Sequence, residues 1–505
     1  MIARQNYFQT TAAGLTNIML PGEHGRVQGT HGSVALQSNS HTMYIQQLYT
    51  GCLAQAAYYI EAGHEAAVVD PMRNPEPYLQ LARERGAKIK YVLETHFHAD
   101  FVSGHIDLAN KTGANIVFGP NATPGYRAHI ATDGEMLPLG DIHIQVLHTP
   151  GHTIESACYM AVDKDGKAHA IFTGDTLFIG DVGRPDLLSG NLPKEELASI
   201  LFDSLNAKIK TLPDDVIVYP GHGAGSACGK NLSTDSQSTI GKEKMFNYAL
   251  KIADREAFVT AVTTDQPSVP GYFFKDAATN KGGYTAYDAV LEKSLNALDA
   301  RSFHAMQKDG VVVLDTRMPA DFATGFVPGS LNIGLNGDFA VWAGTLIDPN
   351  ASILLVAEPD KETEAIERLS RIGYDHVAGY LKGGFEAWRS SDRPCDHINI
   401  ISGSDIQDLL NLGDYALLDV RNRKEAAKDR IAGAVHIPLN QLAAEADTLH
   451  KEHKWLVYCA GGYRSMIAAS FMKLHGFRNV ASVEGGIAQI RKVAPELIEL
   501  GMETE

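Results

Sequence analysis

Cysteine is scarce in this chain, tryptophan scarcer, and long apolar runs are missing. Its five cysteines, Cys52, Cys158, Cys228, Cys395 and Cys459, are odd in number, widely spaced and free of any CxxC pair. This speaks against a disulfide framework and fits a reducing cytoplasm, where each thiol is either a small buried hydrophobe or a reactive group. No stretch reaches the ~18 apolar residues of a membrane span. No basic cluster stands out and the formal net charge is −16. Nucleic acid and anionic membrane surfaces are therefore disfavoured as partners, although a local basic pocket can still take a small anion. What is present is an ordinary globular mixture, 44% hydrophobic and 21% charged. At 505 residues the chain exceeds the ~250–300 that one core supports, so two or three domains are expected.

Residues 1–42 are rich in Gly, Ser, Thr, Asn and Gln and have no apolar core of a secretory signal. They read as a leader, disordered or left over from expression, with the folded protein expected from Met43. Beyond that point, strand-length runs such as Ala66–Asp70, Lys90–Glu94, Ile116–Phe118, Ile142–Leu147, Cys158–Val162 and His169–Phe172 alternate with a helical spacing over Pro75–Arg85. The second half repeats itself. VVVLDTR, VPGSLNI, SILLV and GYLKGGFEAW (311–388) are followed by YALLDVR, IAGAVHIP, KWLVY and VEGGIAQI (415–490). Each copy is a small parallel α/β unit, and the polar stretch Ser390–His397 is the expected linker. The expected divisions are 43–292, 293–396 and 397–505.

Four segments in the first half carry His or Asp at a strand-to-loop junction, mostly beside glycine: THFHADF (95–101), PGHT (150–153), TGDTLF (173–178) and YPGHG (219–223). A single histidine there is usually structural, but four such segments in this order point to a metal centre. They resemble the metallo-β-lactamase fold over Met43 to Gln266, which implies an αββα sandwich. In the dinuclear hydrolases of that fold the first motif is HxHxDH, and its last histidine helps hold a second metal. Here that place is Phe101, which has no lone pair to donate, so one metal is expected. The persulfide dioxygenase branch of the fold holds one Fe(II) per chain with the residues corresponding to His96, His152 and Asp175. Two imidazoles and a carboxylate would leave open positions for O2 and a substrate sulfur. By the same resemblance His98, Asp100 and His222 orient the ligands, with His222 as a direct ligand the competing assignment.

Two neighbouring segments add expectations. GRPD (183–186) resembles the substrate-side stretch of that branch, so Arg184 is a candidate to hold an anionic group of the thiol carrier; an internal ion pair with Asp186 is the alternative. Leu187 stands where an aromatic is common, so glutathione specificity does not follow. GAGSACGK (223–230) resembles the form found in three-domain dioxygenase–rhodanese fusions of bacterial sulfide responses, making Cys228 a possible sulfur relay or an inert buried thiol.

CAGGYRS (459–465) lies between a strand and an apolar helix and resembles a rhodanese active-site loop. Inward-pointing amides and a helix N-terminus favour a thiolate at Cys459. Gly461 and Gly462 let the loop curl, and Arg464 is a candidate contact for thiosulfate or a cysteine persulfide. Aligning the repeats on Val356 and Val457 puts Glu358 opposite Cys459, so the middle copy should lack sulfur chemistry and serve as a spacer or as support for a homo-oligomer. The resemblances together imply an enzyme that oxidises a small thiol persulfide with O2 to sulfite and transfers sulfur to or from thiosulfate. The rivals are a zinc thiolester hydrolase of the glyoxalase II type and a persulfide carrier or sensor with a vestigial metal domain.

Overall fold

The computed structural model describes residues 34–38, 41–187, 192–266, 269–413 and 415–501. The chain divides between Tyr287 and Asp288 into two compact units. Residues 1–33 of the expected leader lie outside the described residues. Val34–Ser38 form a strand paired with the next, which begins at His41, so the sheet starts ahead of Met43.

The first unit contains two sheets. One has seven strands in chain order: Val34–Ser38, His41–Thr50, Gln55–Ala62, Glu65–Val69, Lys88–Glu94, Asn115–Phe118 and His129–Ile130. The other has six, in the order Ser238–Thr239, Ile217–Pro220, Ala168–Gly174, Ala157–Asp163, Ile142–His148 and Met136–Leu139. Inward residues of both, among them Ile45, Tyr58, Val69, Leu93, Ile144, Val146, Tyr159 and Phe172, fuse into a single core. Alternation along each strand leaves the opposite faces apolar too, and helices cover them. Glu76–Arg85 and His105–Thr112 pack on the first sheet through Tyr78, Leu81 and Leu108. Lys194–Ser204 and Arg255–Thr263 pack on the second through Leu197, Leu201 and Phe258. The expected αββα sandwich is what results. The strands end on loops at one edge, and the four His/Asp segments occupy those loops.

The second unit holds both repeats. Their five-stranded parallel sheets share one order: Ala297–Leu298, Val377–Leu381, Ile353–Val356, Val312–Asp315, Ser330–Asn332 in the first, and Asn399–Ile401, Val480–Val483, Lys454–Tyr458, Tyr415–Asp419, Val435–His436 in the second. Asp315 pairs with Arg317, and Asp419 with Arg421, in matching buried ion pairs. The segment expected as a linker is pinned down: Phe326 and Asp396 exchange backbone hydrogen bonds, and Lys473 reaches Asp396 at 2.8 Å. The two copies thus pack as one body. Among the described residues no helix is long and apolar enough to cross a membrane.

Candidate metal centre and sulfur-transfer loop

His96, His152 and Asp175 converge as expected. Their ligand atoms lie within 4.8 Å of one another and each residue is at most 2% exposed. Hydrogen bonds on the far side of each ring fix which nitrogen is offered. Thr95 Oγ1 donates its one proton to Asp70 Oδ2 at 2.8 Å, so it accepts at 3.0 Å from His96 Nδ1–H, leaving Nε2 with its lone pair. His152 Nδ1 donates to the Arg184 carbonyl at 2.8 Å, which again frees Nε2, 3.6 Å from Asp175 Oδ2. Asp175 Oδ1 accepts from His222 Nδ1 at 2.8 Å, whereas Oδ2 is buried with no hydrogen-bond partner. A buried orphan carboxylate oxygen facing two imidazole lone pairs is a donor set that fits a divalent metal.

The electrostatics agree. Burial, followed by the neighbouring His98, pushes the His96 pKa well below the usual histidine range, which favours the neutral ligand form. For Asp175, burial alone would raise the pKa, but the charge and hydrogen bond of His222, with His96 and His152, outweigh it and hold the carboxyl far below its ordinary range. Burial would lower the His222 pKa; Asp175 and Asp100, the latter 2.7 Å from Nε2, raise it instead. Close backbone approach is needed around Asp175. A Cβ on Gly174, whose φ is +48°, would sit 2.3 Å from Thr95 Oγ1, and one on Gly183 would sit 1.9 Å from the Asp175 carbonyl.

His222 meets Asp175 Oδ1 and is met in turn by Asp100. His98 packs its ring against that of His96, with centroids 4.2 Å apart. Its Nε2 faces Asp70 Oδ1 at 3.1 Å and Glu94 Oε2 at 3.9 Å, and its ring packs against Phe101 with centroids 4.3 Å apart. For Arg184 the structure shows the ion-pair alternative. Its guanidinium pairs with both oxygens of Asp186 at 2.7 and 2.8 Å and donates to the Ala227 carbonyl at 3.1 Å, so the internal ion pair takes the donors expected for a substrate anion. Cys228 lies with Asp100 and His222, their ligand atoms within 4.8 Å of one another. Burial, then the charges of Asp100 and Asp175, push its thiol pKa well up, which favours the protonated form.

In the second unit Cys459 follows the strand Lys454–Tyr458 and is 1% exposed. Gly462, at φ +102°, caps the helix Tyr463–Leu474 and turns its amide to donate to Cys459 Sγ at 3.1 Å. Gly461 precedes it in the same turn. The thiol therefore faces the positive end of a helix. Arg464, expected to receive an anion, is latched by both oxygens of Glu425 at 2.7 Å. Glu425 in turn closes a capping box with Asn422.

The strand ladders correct the repeat alignment by one residue. Asp315 pairs with Val356 in the first copy, and Asp419 with Tyr458 in the second. Val356 thus corresponds to Tyr458 and Ala357, not Glu358, to Cys459. Matching glycines agree: a Cβ on Gly384 would meet the Ala357 carbonyl, and one on Gly486 the Cys459 carbonyl. The middle copy still lacks a nucleophile. It does, however, touch the catalytic loop, because Tyr463 donates to the Gly334 carbonyl at 2.7 Å and its ring lies against Gly337. A Cβ at Gly337 would approach that ring to 2.5–2.9 Å. Gly337→Val should therefore displace the loop and slow sulfur transfer by roughly 10–100-fold, the scale of a misplaced supporting group. Wild-type rates in a thiosulfate sulfurtransferase assay would show the contact to be idle.

Comparison with known proteins agrees with this architecture. The profile of the metallo-beta-lactamase superfamily matches residues 50–222, and that of the rhodanese-like domain matches 299–391 and 402–492. A probable hydroxyacylglutathione hydrolase of Schizosaccharomyces pombe is 29% identical over 234 residues, covering 41% of this chain and 87% of that protein. A second from the same yeast is 31% identical over 205 residues, 36% of this chain and 75% of that protein. A solved structure of a metallo-beta-lactamase from Staphylococcus aureus subsp. aureus COL is 33% identical with a TM-score of 0.60, and covers 68% of this chain and 99% of its own. With its four His/Asp segments in order on an αββα sandwich and two rhodanese-like domains behind it, the chain belongs to the metallo-β-lactamase superfamily.

Proposed function

We propose that this enzyme oxidises a low-molecular-weight thiol persulfide with O2 at one Fe(II) per chain and that Cys459 transfers sulfane sulfur. The balance is R–S–SH + O2 + H2O giving R–SH, sulfite and two protons. The carrying observation is the ligand set itself: His96, His152 and the orphaned Asp175 Oδ2, with Phe101 in place of the histidine that a second metal needs. These three residues would hold the iron, which would supply the redox chemistry between O2 and the substrate sulfur. Thr95 and the Arg184 carbonyl keep both imidazoles in the ligating tautomer. His222, braced by Asp100, fixes the Asp175 carboxylate, and burial of the whole set excludes bulk water. At the other site, attack of Cys459 on the outer sulfur of thiosulfate would form a cysteine persulfide and release sulfite; the reverse would make thiosulfate. The amide of Gly462 stabilises charge on the sulfur in either direction.

The similarity to hydroxyacylglutathione hydrolases favours a second reading, a zinc thiolester hydrolase. A vestigial metal domain on a persulfide carrier or sensor is opposed by the intact convergence of three ligands. One preparation of the full chain separates these readings: metal content is measured beside O2 uptake with glutathione, coenzyme A or bacillithiol persulfide and beside hydrolysis of lactoylglutathione. O2 uptake proportional to iron is expected. Thiolester hydrolysis proportional to zinc, without O2 uptake, would replace the dioxygenase reading.

A further inference from the structure

Behind the centre just described lies another cluster of metal-type donors to which that chemistry assigns no role. Asp70 follows the strand Glu65–Val69, Glu94 ends Lys88–Glu94, His98 lies in the loop that comes next, and His105 opens the helix His105–Thr112. All four are at most 2% exposed. The ligand atoms of Asp70, Glu94 and His98 lie within 4.8 Å of one another. His98 Nε2 is 3.1 Å from Asp70 Oδ1 and 3.9 Å from Glu94 Oε2, and His105 Nδ1 is 3.8 Å from the same Glu94 oxygen. Neither ring nitrogen of His98 or of His105 has a hydrogen-bond partner.

Buried imidazoles are almost always hydrogen-bonded, and buried carboxylates are paired or bound to metal. Here two imidazoles whose ring nitrogens have no hydrogen-bond partner face two carboxylates whose other hydrogen bonds go to Thr95 and Ser103. We infer that Asp70, Glu94, His98 and His105 form a second, structural site for a divalent cation of the zinc class. Two nitrogens and two oxygens suit that ion. With bonds of roughly 2.0–2.2 Å, tetrahedral ligands lie about 3.4 Å apart; His98 with Asp70 and Glu94, and His105 with Glu94, are spaced at 3.1–3.9 Å, and His105, which stands outside the group of mutually close donors, would draw in towards Asp70 and His98 when the ion binds. Because the donors are all protein groups, the ion has no open position and takes no substrate.

Its role follows from the hydrogen bonds of Asp70. That carboxylate accepts from the Thr95 amide and from Thr95 Oγ1, both at 2.8 Å, and Thr95 Oγ1 in turn meets His96 Nδ1. A cation that fixes Asp70 therefore fixes Thr95 and with it the orientation of His96. Ser103 does the same on the other side by donating to Glu94 Oε1 at 2.9 Å. The second ion ties the first ligand of the outer centre to the sheet, whatever metal that centre carries.

The test is metal analysis of the full chain, expressed with zinc and iron supplied and dialysed against a weak chelator. The expected wild-type result is one equivalent of zinc beyond the metal lost in His96→Ala. His105→Phe keeps the ring packing against Tyr126 and Tyr284 and removes a donor; Glu94→Gln keeps shape and removes charge. Each should lose the zinc selectively. Anomalous scattering at the zinc edge should place a peak among the four side chains, and this decides the matter if both variants fail to fold. No zinc in the wild type, zinc unaffected by both variants, or a water or shared proton in place of the peak overturns the site. His96→Ala losing all metal also overturns it, whereas failure of the dioxygenase reading alone leaves it standing.

Discussion

Replacing His96 by alanine should strip the outer metal and abolish persulfide-dependent O2 uptake together while leaving the fold intact. The substitution removes one of three ligands and leaves the other two in place, since Asp175 is still held by His222 and His152 by the Arg184 carbonyl. Loss of an outer-shell partner costs about 10–100-fold in metal affinity, so loss of a ligand should cost well over 100-fold. His222→Gln offers the graded comparison, because it weakens the brace on Asp175 without touching a ligand and should fall in the lower range. The fold should survive because the strands and core on which the site stands do not depend on the His96 ring. Far-UV circular dichroism would confirm this, and iron content read beside O2 uptake would carry the result. If iron stays at the wild-type ratio in His96→Ala while O2 uptake stops, His96 acts on substrate and is not a ligand.

The convergence of His96, His152 and Asp175 was legible because each sits where chain geometry announces it. His96, His152 and Asp175 follow strand-length apolar runs, and the backbone there must turn beside glycine or into a loop. Phe101 was equally plain, since a missing lone pair is a property of the residue itself. What the sequence could not yield was the direction of side chains whose choice depends on packing. Arg184 had two partners on offer, and only the fold brings Asp186 and the Ala227 carbonyl to it together. His98 turns to Glu94, four residues before it, and to Asp70, which the fold brings from the end of another strand. The repeat alignment slipped by one because SILLV and KWLVY superpose equally well on apolar character, while a hydrogen-bonded ladder allows a single register. The Tyr463–Gly334 contact has no local signal, for it exists only when the two copies pack together.

Cys459→Ser should abolish sulfur transfer between thiosulfate and a thiol while leaving oxidation of an added persulfide almost unchanged. Serine fills nearly the same volume and can accept the Gly462 amide that now reaches the sulfur at 3.1 Å, so the loop should keep its shape. Its hydroxyl is nevertheless not ionised near neutrality and cannot carry sulfane sulfur in an exchangeable S–S bond. Loss of a nucleophile registers at about 10³-fold or more, and no other thiol stands in, because Ala357 occupies the equivalent place in the middle copy. The metal ligands belong to the other compact unit and share no residue with this loop. O2 uptake with added persulfide should thus remain within about twofold of wild type, as independent sites require. The two assays run on one preparation give the answer. Should Cys459→Ser stop O2 uptake as completely as His96→Ala does, persulfide must reach the metal through Cys459, and the two activities form one obligatory relay instead of two separable sites.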